Sequence, residues 1–221
     1  MTPEDFGQIL SAGVDEFGIS LSSNSLSTLH CYYQELQKWS RKVNLIARGT
    51  SAAEIVEKHF LDSLALLQSL DSERDNVVDI GSGAGFPGLV CKAGNPLLRM
   101  SLVEPRYKRA TFLRHIIRVC DLSQVTVHEQ RLEEGSSIPG EQEFNCLVSR
   151  AVTDISQTLA MSKRFCRAGF RIICMKGSGY TEELAAAVDG LAGWELTETI
   201  PYQLPQSGRQ RVLLTYTAKM N

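Results

Sequence analysis

Apolar positions recur at helical spacing from Pro3 to Phe17, and the pattern stops at Gly18. It resumes over Asn24 to Ser40, where Leu26, Leu29, Tyr33, Leu36 and Trp39 form an i, i+3, i+4 stripe. That spacing places the aromatic residues of this stretch, Tyr32 included, in a core. After a break at VNLIARGT, Ser51 stands three positions before Glu54, the mark of a capping box. It opens a helix through HFLDSLALLQSL. Residues 1–72 are expected to form an N-terminal helical extension.

At Asn76 the period changes. Short β-rich runs (NVVDI, RMSLVEP, QVTVHEQ, FNCLVSRAV, FRIICMKG) alternate with helix-length stretches, which implies βαβ units and a parallel sheet. Right-handed crossovers then put ligand loops at the carboxyl ends of the strands. The tail differs: GWELTETIPYQL and RQRVLLTYTAK are strand-like runs with no helix between them, so an antiparallel hairpin is expected at one sheet edge. The expected fold is α/β, a mostly parallel Rossmann-like sheet spanning residues 73–221 as one compact unit.

Candidate chemistry begins at VVDIGSGAGFPG, Val77 to Gly88. Gly81 and Gly83 fit the dinucleotide fingerprint G-x-G-x-x-G/A, but its last position is Phe86, and the third glycine is Gly85. Phe86 obstructs the close helix–strand approach that a small residue permits. Asp79 argues the same way. A carboxylate about 4 Å from a pyrophosphate costs roughly 1 kcal/mol in water and about 4 kcal/mol at an effective dielectric of 20. S-adenosylmethionine reverses the sign: it lacks phosphate and carries a sulfonium and an ammonium. Pro87 suits the first turn of the next helix, where its missing N–H loses nothing. The second strand ends in Val103-Glu104-Pro105, placing an acid where ribose hydroxyls are held. Together these residues point to a class I methyltransferase, with the acceptor open.

Charge refines the picture. The formal net charge is −2, so the chain is not built as a general nucleic-acid binder, and an RNA acceptor must meet local patches. Basic residues do cluster. Lys38, Arg41, Lys42 and Arg48 form one group, Arg99, Arg106, Lys108, Arg109, Arg114 and Arg118 a second, and Lys163, Arg164, Arg167, Arg171 and Lys176 a third. These are candidate phosphate contacts, with solvated helix faces as the bland alternative. The six cysteines contain no CxxC pair, and no metal site is expected. They read as small buried hydrophobes in a reducing compartment. No signal peptide or membrane span is visible, and a cytoplasmic monomer is expected.

The sequence as a whole resembles the RsmG family, also called glucose-inhibited division protein B, bacterial enzymes that methylate guanine N7 in 16S ribosomal RNA. The resemblance runs through LQKWSRKVNLI, EKHFLDSLALL, VVDIGSGAGFPG, KRATFLRH, EQRLEE, LVSRAV and MKG followed by EEL. It implies S-adenosylmethionine as cofactor, with contacts at Gly81, Phe86, Leu132, Glu133 and Arg150, Glu104 at the ribose and Asp79 near the methionine end. Leu132 and Glu133 would read adenine. Two departures stand out. Ile46 follows Leu45 where the family usually has Thr, and Arg209 and Arg211 compete for the arginine slot of the last strand.

Guanine N7 has a lone pair and no proton, so it attacks a sulfonium methyl in line with no general base. The protein's task is alignment and electrostatics. The absence of a [DN]PP[YF] run and the apolar neighbours of Cys146 agree with that chemistry. Arg150, Lys176 or His59 is expected to place the guanine or the RNA backbone. Arg41, Lys42, Arg48, Arg106, Lys108 and Arg109 are the RNA-binding candidates. The alternatives are a class I methyltransferase with a small-molecule or protein acceptor, and a cofactor-binding regulator without catalysis.

Overall fold

The computed structural model describes residues 1–132, 136–150, 153–187 and 193–219. Seven strands form one sheet in the order β3-β2-β1-β4-β5-β7-β6. The strands are β1 (Asn76–Ile80), β2 (Arg99–Val103), β3 (Val125–His128), β4 (Cys146–Arg150), β5 (Arg171–Gly177), β6 (Trp194–Gln203) and β7 (Gln210–Ala218). All neighbours from β3 to β5 pair in parallel, while β7 pairs antiparallel with β5 and with β6. The sheet class and the terminal hairpin are as the periodicity implies. The chain winds outward from β1 to β3 and then returns to lay β4 beside β1. That reversal is a topological switch point, and it opens a crevice beyond the carboxyl ends of β1 and β4.

Helices α1 (Pro3–Asp15) and α2 (Ser23–Ser40) start on side-chain caps from Thr2 and Ser22. They pack with α5 (Gly88–Gly94) and α6 (Tyr107–Val119) on one sheet face, in a core that includes Phe6, Tyr32, Tyr33, Phe60, Phe86 and Phe112. Tyr32 and Tyr33 are therefore core residues. Helices α7 (Ile155–Met161) and α8 (Tyr180–Ala186) lie on the other face, whose core includes Val78, Leu147, Phe165, Ile172 and Trp194. Cys91, Cys146 and Cys174 are fully buried free thiols, pushed above their ordinary pKa by that burial.

One helix departs from the expected regularity. The Ser51–Glu54 capping box opens α3 (Ala52–Ile55), as read from the sequence. The backbone then widens into a π-helix over Val56–Leu61, returns to α-helix in α4 (Asp62–Leu64) and tightens into a 3-10 turn over Ala65–Ser69. A π-segment shifts the angular register of the residues after it. Here it carries His59, and Asp62 follows at its end. Glu57, on the same segment, is 3% exposed and accepts the amides of Gln206 and Ser207 at 2.6 and 2.7 Å. This joins the turn between β6 and β7 to the N-terminal helices.

Candidate active site

The glycine loop sits where β1 ends. Gly81, Gly83 and Gly85 all have φ in the left-handed region, at 71°, 60° and 91°. At Gly85 the requirement is also steric, because an added Cβ would collide with the Tyr32 hydroxyl and lie 2.8 Å from Leu89 Cβ. The loop amides are already bonded within the protein. Gly81 and Ser82 donate to Val103 O, Gly83 to Glu104 Oε2 at 2.9 Å, and Gly85 and Phe86 to Ser82 O. The α5 amide of Gly88 donates to Asp79 Oδ2 at 3.1 Å. A pyrophosphate needs free amides at such a helix start. These amides are occupied, two of them by carboxylates, so the loop suits a ligand without phosphate. Pro87 is the N-cap of α5 rather than part of its first turn.

Asp79 shares a sheet face with Val77, two residues back, and so points at α5. It is fully buried, and its Oδ1 has no hydrogen-bond partner among the described residues. Burial pushes its pKa from 3.8 up to about 6, against the Gly88 amide and the Arg150 charge, which pull it down. Between about pH 4 and pH 6 the folded chain therefore holds a proton that the unfolded chain has released. Stability falls as pH rises through that window, by roughly 3 kcal/mol at most. Asp79→Asn is expected to raise the urea midpoint at pH 7 by an amount worth about 1–3 kcal/mol and to leave it unmoved at pH 4. Equal shifts at the two pH values would refute the assignment.

A cavity of about 530 Å³ opens beside the loop at the switch point. It is lined by Ile80 and Gly81 at the end of β1, Val103 to Arg106 at the end of β2, Arg109 on α6, Gln130 to Leu132 after β3, Arg150 at the end of β4 and Met161. Gly81, Glu104, Leu132 and Arg150 are thus brought together. Gly83, Gly85, Phe86 and Asp79, also expected at the cofactor, do not line it. Glu133 lies outside the described residues. Glu104 is 2% exposed, and its two oxygens accept the Gly83 and Arg106 amides at 2.9 and 2.8 Å. One lone pair remains on each oxygen, which matches the two hydroxyls of a ribose.

Arg150 also lines a second cavity, of about 580 Å³, with Asp62, Thr153, Asp154, Met175, Lys176, Gly177, Glu183 and Arg211. Its Nη1 donates to Lys58 O at 3.1 Å and Asp62 Oδ2 at 3.3 Å, and its Nη2 lies 3.3 Å from His59 Nδ1. An arginine only donates, so His59 Nδ1 is the acceptor and the imidazole is neutral. Burial first, then the charges of Arg150 and Lys58, push the His59 pKa down to about 4. His59 stacks on Phe86 with ring centroids 4.8 Å apart and lines neither cavity; its contact with the cavity wall is through Arg150. Lys176, by contrast, faces the second cavity.

Asp62 was not singled out by its sequence context, although an acid inside an apolar run is a signal that a buried charge awaits partners. Its partners are Arg150, the Tyr202 hydroxyl at 2.7 Å and Arg211 Nε at 3.4 Å. Of the two candidate arginines, Arg211 reaches the cavity, and Arg209 is exposed outside it. Glu183 was likewise missed. It stands on α8 and meets Lys176 only through the fold.

The basic clusters divide. Arg41, Lys42, Arg48, Arg106 and Lys108 are exposed, and Arg109 Nη2 donates to Asn44 O at 3.3 Å. Arg106 and Arg109 form part of the lining of the first cavity, and Arg109 touches the loop between Lys42 and Arg48, whereas Lys38 pairs with Glu35, Arg114 pairs with Glu129 and Arg99 lies away from this cavity. The third cluster, apart from the exposed Lys163, is bonded within the protein. Arg164 pairs with Glu141, Arg171 with Asp75 and Lys176 with Glu183, while Arg167 donates to backbone carbonyls at Glu141, Gln142 and Phe144. These bonds bind neighbouring elements together, which the spacing along the chain does not reveal.

Residues 25–212 match the family model described as rRNA small subunit methyltransferase G. A protein named ribosomal RNA small subunit methyltransferase G from Desulfotalea psychrophila is 47% identical over 95% of this chain and 97% of its own length. Its counterpart from Syntrophus aciditrophicus is 32% identical over 99% and 92%. Among solved structures, MtNAS in complex with S-adenosylmethionine has the same fold at a TM-score of 0.56 and 16% identity, covering 97% of this chain and 96% of that one. The ribosomal protein L11 methylase from Lactobacillus delbrueckii subsp. bulgaricus matches at 0.53 and 12%, covering 74% and 79%.

Proposed function

The chain belongs to the rRNA small subunit methyltransferase G family, whose members use S-adenosylmethionine to methylate 16S ribosomal RNA, and within that activity we propose that it methylates N7 of a guanosine by direct in-line displacement. The observation that carries this reading is the pair of cavities meeting at Arg150. The first is lined by the ribose-matching Glu104, and Asp79 lies fully buried near it without lining it. The second has cationic and anionic groups suited to the edges of a base.

The donor, when bound in the first cavity, supplies an electrophilic methyl on a positively charged sulfur. The protein's own residues hold and orient. Glu104 holds the ribose, Leu132 flanks the adenine, and Asp79 contributes negative potential from below. A buried carboxylate that weakens the fold is retained for a cationic ligand, a trade of stability for function. Arg150 fixes the boundary between donor and acceptor, and His59 holds Arg150 from behind as a positioning residue. Because N7 has no proton to lose, a neutral, hydrogen-bonded His59 and an ion-paired Lys176 suffice, and neither has to act as a base.

We assign the RNA phosphates to Arg41, Lys42, Arg48, Arg106, Lys108 and Arg109, on a cytoplasmic monomer whose helical prefix and sheet act as one unit. The described residues contain no helix long and apolar enough to cross a membrane. If all six contact phosphate, the plot of log affinity against log salt should have a slope of about −4 to −5. Replacing Arg41 and Lys42 together with glutamine should flatten that slope by about 1.5. A slope unaltered by the double substitution would remove these residues from the interface. The reading as a whole is tested by mass mapping of 16S ribosomal RNA from cells with and without this protein. A 7-methylguanosine that disappears with the protein is expected; methylation on another atom would overturn it.

A further inference from the structure

The second cavity contains an ion pair with spare hydrogen-bonding capacity. Lys176 Nζ, at the end of β5, lies 2.7 Å from Glu183 Oε2 on α8 and also donates to Thr153 O at 2.7 Å. An ammonium has three donors, so one is left. Glu183 Oε2 is further held by the Ile155 amide at 3.2 Å, while Oε1 accepts no hydrogen bond among the described residues. The Lys176 side chain is 9% exposed and that of Glu183 35%, so the lysine is fixed in the wall and the acid reaches into the space. The result is one donor and one acceptor, side by side and anchored, in a cavity whose volume is typical of ligand clefts.

A purine presents two adjacent groups at C6 and N1. In guanine these are the O6 acceptor and the N1–H donor. In adenine the polarity is reversed, with a 6-amino donor and a bare N1 acceptor. Bases taken out of a stack are read along this edge. A fixed donor–acceptor pair therefore matches guanine and opposes adenine. Contact along this edge also leaves the N7 lone pair free to react.

We propose that the Lys176–Glu183 pair reads the target base as guanine, with Nζ donating to O6 and Glu183 Oε1 accepting N1–H. This inference rests on the acceptor being a guanosine. Arg211 and Asp154 line the same cavity. The pair discriminates by hydrogen-bond direction and has no use for the 2-amino group.

The test uses the full chain and small ribosomal subunits reconstituted with 16S ribosomal RNA carrying guanosine, inosine or 2,6-diaminopurine at the methylated position. Inosine keeps O6 and N1–H. Diaminopurine keeps N7 and the 2-amino group but reverses the polarity at C6 and N1. In single turnover with labelled donor, inosine should react within about fivefold of guanosine and diaminopurine at least about tenfold more slowly. Glu183→Gln, whose amide can turn its NH₂ toward a bare N1, should narrow the guanosine-to-diaminopurine gap by about tenfold. Wild-type protein that methylates diaminopurine as fast as guanosine would overturn the inference without any variant. So would a Glu183→Gln protein that binds donor normally by calorimetry and keeps the wild-type ratio. Wild-type protein that leaves guanosine-containing subunits unmethylated would overturn the guanosine reading, and this inference with it.

Discussion

Arg150→Met is expected to slow methyl transfer by about 10²-fold or more, a larger loss than any substitution confined to one cavity should produce. Arg150 borders both cavities, donates to Lys58 O and Asp62 across the gap between β4 and the π-segment, and lies over the Phe86 ring at 5.2 Å. Removing it frees that segment and unsets the wall between the two cavities, and a displacement near 1 Å at reacting atoms is enough for such a loss. Asp62 would keep Arg211 and Tyr202, so the stability cost should stay at about 1–3 kcal/mol. Arg150→Lys should recover little, because an ammonium cannot span several acceptors in one plane. Urea midpoints, calorimetric donor affinity and single-turnover rates together separate misplacement from unfolding. A Met variant within threefold of the wild-type rate would show that Arg150 does not organise the site.

The second large effect is on stability. Gly85→Ala should cost about 2–5 kcal/mol, from roughly 1–2 kcal/mol of left-handed backbone strain and about 1–3 kcal/mol of overpacking against Tyr32 and Leu89. Gly49 provides the internal comparison. It has φ of 79° with nothing within 4 Å of an added Cβ, so Gly49→Ala should show the strain alone. The difference between the two urea-unfolding free energies measures the packing part. Equal values would mean that the loop yields to a methyl group, and that the contact of Tyr32 with the loop, where its hydroxyl donates to Ala84 O, does not hold the loop in place.

Donor binding was legible in the sequence because its determinants are local. An apolar strand, an acid, three glycines and a second acid after the next strand lie within about thirty residues, and βα connections carry such spacing directly into geometry. Even there the surroundings of Asp79 are set by the fold, which buries it fully with one oxygen on the Gly88 amide. The second cavity was hardly legible. Its lining joins Asp62, Arg150, Lys176, Glu183 and Arg211, which come from five separate elements. Arg150, Lys176 and Arg211 could be named as candidates from the sequence, but nothing local shows that the five face one another.

The basic residues show the same division. Spacing along the chain marked three clusters, yet the third is spent on ion pairs and carbonyls between neighbouring elements. By itself, the sequence determined the helical prefix, the sheet class, the antiparallel tail and the chemistry of the donor loop, because periodicity and turn residues act within a few positions of one another. Tertiary structure alone decided which charges face one another across the second cavity and where the π-segment turns His59, because both depend on partners that the chain brings close only after the sheet has closed around its switch point.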